Sequence, residues 1–141
     1  MQNILVPVDG SEVSLRAVRF IAERISHGYP ATLHLLNVQP PILSGDVKMF
    51  VSGDVIAEYY RQEGATALAK AKALLDEAGV PYDAHVQTGH IAETIARFAA
   101  DKQCSSIVMG ARGLGSVVGM LLGSVTTKVL YLVAIPVTIV K

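Results

Sequence analysis

A chain of 141 residues is long enough for one well-buried core, so residues 1–141 are expected to form a single domain. Its twelve Lys and Arg balance twelve Asp and Glu, and no basic cluster is interleaved with aromatics, which argues against nucleic acid or an acidic membrane as partner. The single cysteine, Cys104, cannot close an internal disulfide and fits a reducing compartment, where it reads as a buried, inert thiol at the head of an apolar strand.

Met1-Gln2-Asn3 leads directly into the apolar run Ile4-Leu5-Val6-Pro7-Val8, leaving no room for a signal peptide, so a cytoplasmic protein is expected. The run reads as a strand closed by the turn Asp9-Gly10-Ser11. Leu15, Val18, Ile21, Ala22 and Ile25 then recur at helical spacing up to Gly28. Ala31 to Val38 forms a second strand, ended by Pro40-Pro41. Residues 39–53 carry Pro, Gly and Ser without a clear period, a long connection of the kind that serves as a lid or contact surface. An alanine-rich helix follows from about Asp54, read as its N-cap, to Ala78, with Ala67, Ala71, Leu74, Leu75 and Ala78 as its buried stripe and Gly79-Val80-Pro81 as its stop. Tyr82 to Thr88 is a third, more polar strand, and Ile91, Ile95, Phe98 and Ala99 mark the next helix. Ser105 to Met109 is the fourth strand, the last helix starts near Ser124, and Pro136 to Lys141 is the fifth strand. The nearly apolar stretch from Val129 to Val140 is too short to span a bilayer and contains Pro136.

Strands alternating with helices, the first and fourth strands apolar throughout, predict an α/β fold: a doubly wound, Rossmann-like five-stranded parallel sheet covered by helices on both faces. Right-handed crossovers permit the order 3-2-1-4-5, in which strands 1 and 4 are neighbours where the winding reverses. Their carboxyl ends carry Asp9 and Gly110, so the best candidate residues converge on the crevice where such sheets bind ligands. Gly110-Ala111-Arg112-Gly113, followed after nine residues by Gly123-Ser124-Val125-Thr126, has the chemistry of a phosphate cradle. Glycine lets backbone amides approach the oxygens, and a helix N-terminus adds unpaired donors and a favourable dipole.

Other chemistries are poorly served. A dinucleotide fingerprint built on Gly113-Leu114-Gly115 would need glycine at 118, where valine stands, and an acidic residue further on, yet no Asp or Glu follows Asp101. The phosphate-loop signature with lysine is absent, as is a Gly-x-Ser-x-Gly elbow. His27, His34, His85 and His90 lack metal-ligand spacing and read as solvated or edge-strand residues.

The spacing Gly110, Gly113, Gly123-Ser124 resembles the nucleotide-binding signature of the universal stress protein family, and the opening Ile4 to Ser11, the middle Ile107 to Gly110 and the closing Pro136 to Val140 resemble it in the same order. A departure is Tyr131-Leu132-Val133-Ala134-Ile135, where relatives often carry His and Cys, in a helix end outside the expected pocket. The resemblance implies that Asp9 meets the adenine and ribose, that Pro7, Val8 and Val38 form apolar walls, and that Met109 and Gly110 line the nucleotide. It places Arg112, Gly113, Gly123, Ser124, Val125 and Thr126 around the phosphates. From the residues themselves, Asp9 has two readings, ligand contact or an Asx turn, as has Ser124, phosphate contact or N-cap; Arg112 is a phosphate partner or a solvated cation. The implied function is an ATP-binding sensor or regulator of the stress response, with AMP or ADP as other adenine ligands and Mg²⁺ accompanying the triphosphate. The implied assembly is a homodimer through the C-terminal edge strand, with a further regulatory protein as partner. The alternative is a slow ATPase or autophosphorylating enzyme in which Arg112 and Lys128 supply charge, although no base is identifiable.

Overall fold

The computed structural model describes residues 1–42 and 52–141, so most of the connection expected to act as a lid or contact surface lies outside the described residues. Five parallel strands, β1 (Gln2–Pro7), β2 (Ala31–Gln39), β3 (Tyr82–Thr88), β4 (Ser106–Gly110) and β5 (Val137–Val140), lie in the order β3-β2-β1-β4-β5. The predicted topology is therefore observed. Helix α1 (Glu12–Ser26) joins β1 to β2, α2 (Gly53–Ala78) precedes β3, α3 (Ile91–Asp101) joins β3 to β4, and α4 (Ser124–Leu132) leads to β5. Ile4 stands beside Leu33 on one side and Ser106 on the other, which brings the carboxyl ends of β1 and β4 together.

Alternation along the strands divides the core in two. Ile4, Val6, Leu33, Leu35 and Val108 pack against Leu15, Val18 and Ile21 of α1 and Leu68, Ala71 and Leu75 of α2. Leu5, Leu36, Ile107 and Met109 pack on the opposite face against Ala92, Ile95 and Phe98 of α3 and Val129 of α4. Each Leu or Ile so buried contributes roughly 1.5–3 kcal/mol, so these two layers hold the strand ends that carry the site.

Local chemistry explains where the elements depart from expectation. The N-cap of α2 is Ser52, whose hydroxyl accepts from the Val55 amide at 3.3 Å; Asp54 lies inside the first turn, where its charge suits the helix dipole. On α2 the buried positions are Gly64, Leu68, Ala71 and Leu75, whereas Ala78 is exposed near the helix end. Strand β4 ends on Gly110 rather than Met109. His34 is buried, not solvated, because β2 is an inner strand and α3 covers that face. Its Nδ1 lies 3.3 Å from Nε2 of His85 on the edge strand β3, and the Phe98 ring packs 4.8 Å from that of His85. Cys104 is buried as expected, and burial raises its thiol pKa.

Candidate functional site at the carboxyl ends of β1 and β4

A cleft of about 610 Å³ opens where the strand winding reverses, and Pro7, Val8, Asp9, Val38, Met109, Gly110, Arg112, Gly113, Gly123, Ser124, Val125 and Thr126 all line it. Val8, Val38 and Met109 supply nearly buried apolar surface. Strand ends make this possible: β1 stops at Pro7, yet the Val8 amide still donates to the Leu36 carbonyl at 2.9 Å, continuing the sheet edge into the cleft wall. The buried Asn37 side chain donates to the Val8 carbonyl at 2.8 Å and accepts from Gln39 at 2.6 Å, locking β2 to the end of β1.

Asp9 is the hub of the site. Its Oδ1 accepts from the Ser11 amide at 2.9 Å, the Asx-type bond of the plainer reading. Its Oδ2 accepts from the Leu114 amide at 3.0 Å, tying the turn after β1 to the loop after β4. Burial pushes its carboxyl pKa up, but hydrogen bonds from Ser11 and from the Leu114 amide outweigh burial and hold it below the usual carboxylate value. Asp9 is therefore an anion with both oxygens already engaged by the scaffold.

The glycines are needed for close approach. A Cβ at Gly110 would lie 2.8 Å from Val13 Cγ1 and 3.1 Å from the Val13 backbone, so only glycine lets β4 end against α1. A Cβ at Gly113 would collide with Asp9 Oδ2. Beyond them, the Gly123 amide donates to the Ala111 carbonyl at 2.7 Å and the Thr126 hydroxyl to the Gly110 carbonyl at 3.0 Å, which pins the start of α4 over the end of β4.

The N-cap of α4 is Gly123, not Ser124, and among the described residues no side chain caps this end. The first bond of the helical ladder runs from the Thr127 amide to the Gly123 carbonyl, so the amides of Ser124, Val125 and Thr126 precede it and remain available as anion donors. Thr126 contributes that amide alone, since its buried hydroxyl is committed to Gly110. Arg112 is half-buried in the cleft and has no ion-pair partner among the described residues. Lys128, the other cation considered for charge stabilisation, pairs with Glu93 and does not line the cleft.

Sequence reading missed the wall formed by α2. Glu63, Thr66, Ala67 and Lys70, at helical spacing, line the cleft, as do Asn37 and Ser116. The 63/66/67/70 periodicity was present, but a polar helical stripe has the same pattern when it faces only solvent. Among the described residues no group of three His, Cys, Asp or Glu is placed to hold a metal ion, and no helix is long and apolar enough to cross a membrane. The site is thus a cleft with apolar walls at Val8, Val38 and Met109, free amides at the start of α4 and, among the described residues, the charges of Asp9, Glu63, Lys70 and Arg112, an arrangement able to hold a ligand that is part apolar and part anionic.

Comparison with known proteins agrees with this architecture. A universal stress protein of Methanocaldococcus jannaschii is 34% identical over 146 residues, covering 99% of this chain and 82% of that protein. The solved structure of the hypothetical protein MJ0577 superposes with a TM-score of 0.84 at 26% identity, covering 99% of this chain and 95% of that one. A universal stress protein solved in complex with cAMP gives a TM-score of 0.73 at 25% identity, covering 99% of this chain and 97% of that one. The sequence model of the Universal stress protein family matches residues 1–141, and the chain belongs to that family.

Proposed function

We propose that the cleft binds an adenine nucleotide, with ATP as the principal ligand and AMP or ADP as alternatives, and that the protein acts as a nucleotide-responsive sensor or regulator in the stress response. The observation that carries this reading is the convergence of the glycine spacing, the uncapped α4 N-terminus and the apolar walls on one cleft of about 610 Å³. That volume lies within the roughly 300–1,000 Å³ of small-molecule sites. Val8, Val38 and Met109 offer a planar base an apolar slot, and the amides of residues 124–126 offer phosphate oxygens donors on the positive end of a helix. The cAMP complex of a related fold supports an adenine ligand.

Glycine at 113 and 123 lets the loop pack against Asp9 and Arg112, since a Cβ at Gly113 would collide with Asp9 Oδ2 and one at Gly123 would stand 3.3 Å from Arg112 Cα; this packing sets the loop beside the α4 amides that would take the phosphates. Mg²⁺ would arrive on the triphosphate and neutralise part of its charge. The exposed edge of β5 supports a homodimer formed by strand pairing, leaving the nucleotide cleft free for a regulatory protein to respond to.

Titration calorimetry with adenosine, AMP, cAMP, ATP and ATP with Mg²⁺, using GTP as a control, tests the reading. Micromolar binding of ATP with Mg²⁺ and weaker binding of GTP are expected; heat from none of these ligands at millimolar concentration would overturn it.

A further inference from the structure

We infer that Lys70 is a second phosphate-recognising cation of the cleft, acting with Arg112 to make the site select polyphosphorylated over unphosphorylated adenine ligands; the inference rests on the nucleotide reading above. Three observations converge on Lys70. Helix α2 presses its Ala67 against the turn after β1, where a Cβ built on Gly10 would stand 3.5 Å from Ala67 Cα. That contact sets the rotation of the helix and turns the stripe Glu63, Thr66, Ala67 and Lys70 into the cleft. Lys70 follows the contact by about one turn and Glu63 precedes it by about one turn, so the two charges are separated by roughly 10 Å along the helix.

Charge pairing singles out the lysine. Among the described residues lining the cleft, Arg112 and Lys70 are the only cations, and neither has an ion-pair partner. Lys128 and Arg61, by contrast, are paired with Glu93 and Glu58. Asp9 keeps its negative charge, since the amides of Ser11 and Leu114 that bond to it are neutral and hold it ionised, so it and Glu63 are the cleft's anions among the described residues. The phosphate-loop lysine is missing from this sequence, and the backbone amides of α4 offer only a partial positive charge of about half a unit. Asp9 and Glu63 repel a polyphosphate while Arg112 and Lys70 attract it, so a phosphate that reaches the α2 wall of the cleft is drawn to Lys70 and away from Glu63. Sequence reading could not isolate Lys70, which lies forty residues before the glycine motif in a helix that also bears Lys72 and Arg61.

The experiment is calorimetric titration of the full chain and of Lys70→Gln, Lys70→Arg and Glu63→Gln with adenosine, AMP and ATP, each with Mg²⁺ at two salt concentrations. Lys70 is exposed on a helix that tolerates glutamine and arginine, so circular dichroism is expected to report unchanged folding. Loss of one charge-assisted contact predicts that Lys70→Gln weakens ATP binding about tenfold, with a shallower salt dependence. Adenosine binding should change by less than about twofold, because an exposed charge without a partner contributes little. Lys70→Arg should restore ATP binding, and Glu63→Gln should leave it equal or tighter. Equal losses for adenosine and ATP in Lys70→Gln, or no loss for either, would overturn the assignment while leaving the nucleotide reading standing. If the unaltered chain binds none of the three ligands, the nucleotide reading falls and this inference with it.

Discussion

Replacing Gly113 by alanine places a methyl group against Asp9 Oδ2, inside the 3.0 Å that real Cβ atoms respect, and among the described residues beyond its chain neighbours the one further atom within 4 Å is Asp9 Cγ. The carboxylate must swing away. It can keep its Oδ1 bond to the Ser11 amide but loses the 3.0 Å bond from the Leu114 amide. A hydrogen bond to a charged acceptor is worth about 1.5–3 kcal/mol, and the exposed setting of this one argues for the lower end. Against that stands the opposite effect of Gly→Ala on the unfolded chain, about 0.4–1 kcal/mol of stabilisation where the native φ suits alanine. Gly113 is not among the glycines of positive φ, so that gain is accessible. The net cost of Gly113→Ala should be about 1 kcal/mol.

The same substitution should reverse sign once the carboxylate is gone. In an Asp9→Ala background nothing remains for the new methyl to displace, and the unfolded-state effect alone predicts stabilisation by about 0.4–1 kcal/mol. Urea denaturation followed by far-ultraviolet circular dichroism suits a chain without tryptophan and closes the double-mutant cycle. In thermal melts a change of 1 kcal/mol corresponds to about 3–4 °C for a domain of this size. Additivity to within about 0.5 kcal/mol would refute the reasoning, because it would mean that residue 113 and the Asp9 carboxylate do not share space.

Two further outcomes follow from residues outside the cleft. Burial foremost, then the charges of His34 and Lys102, holds the His85 pKa below its ordinary value, with Asp83 opposing. The unfolded chain then binds the proton more readily, so this contribution to stability is complete above pH about 6.5 and is lost as pH falls through the lowered pKa. Denaturation midpoints measured from pH 7.5 down to 5 should decline for the unaltered chain and decline less for His85→Gln; parallel curves would refute the assignment. For the dimer, Ile139 is a poor probe because it packs into the core beside α3 and α4, whereas Thr138 on the same edge strand is exposed. Thr138→Lys should shift light-scattering mass from dimer toward monomer at micromolar concentration without changing the denaturation midpoint of the monomer, and a monomeric unaltered chain at high micromolar concentration would refute strand pairing.

The fold was legible because its strongest signals are redundant. Ile4, Leu5 and Val6 are apolar in succession in a short run closed by the turn Asp9-Gly10-Ser11, a pattern that suits a strand covered on both faces, and Ile107 and Val108 repeat it ahead of Gly110. With the two inner strands identified, right-handed crossovers and connection lengths leave little choice of order. Legibility fell where tertiary contact overrides a local preference. Asp54 is as good a capping residue as Ser52, and which one caps depends on where the chain enters the helix. Nothing in the local sequence announces that His34 is buried; that follows from His85 and Phe98, fifty and more residues away, coming to lie beside it.

The site divides in the same way. Its glycine half was readable as a place of close approach, and the approaches found are of Gly110 to Val13 and of Gly113 to Asp9, contacts within the protein where the sequence suggested approach to a ligand. Its α2 half was not, because the facing of a helix is decided by a contact such as Ala67 on Gly10 and not by the charges it bears. Asp9 joins the two halves and shows why its alternative readings need not compete. An ionised carboxylate has about four acceptor sites, and the bonds from Ser11 and Leu114 occupy two of them. The Asx turn and the loop tether hold the group rigidly at the cleft wall, and the remaining capacity is free for the hydroxyls or amine of a ligand. A rotamer fixed before binding loses no entropy on binding, so the bond that looked like the plainer explanation of Asp9 is what would make it an effective ligand-binding residue.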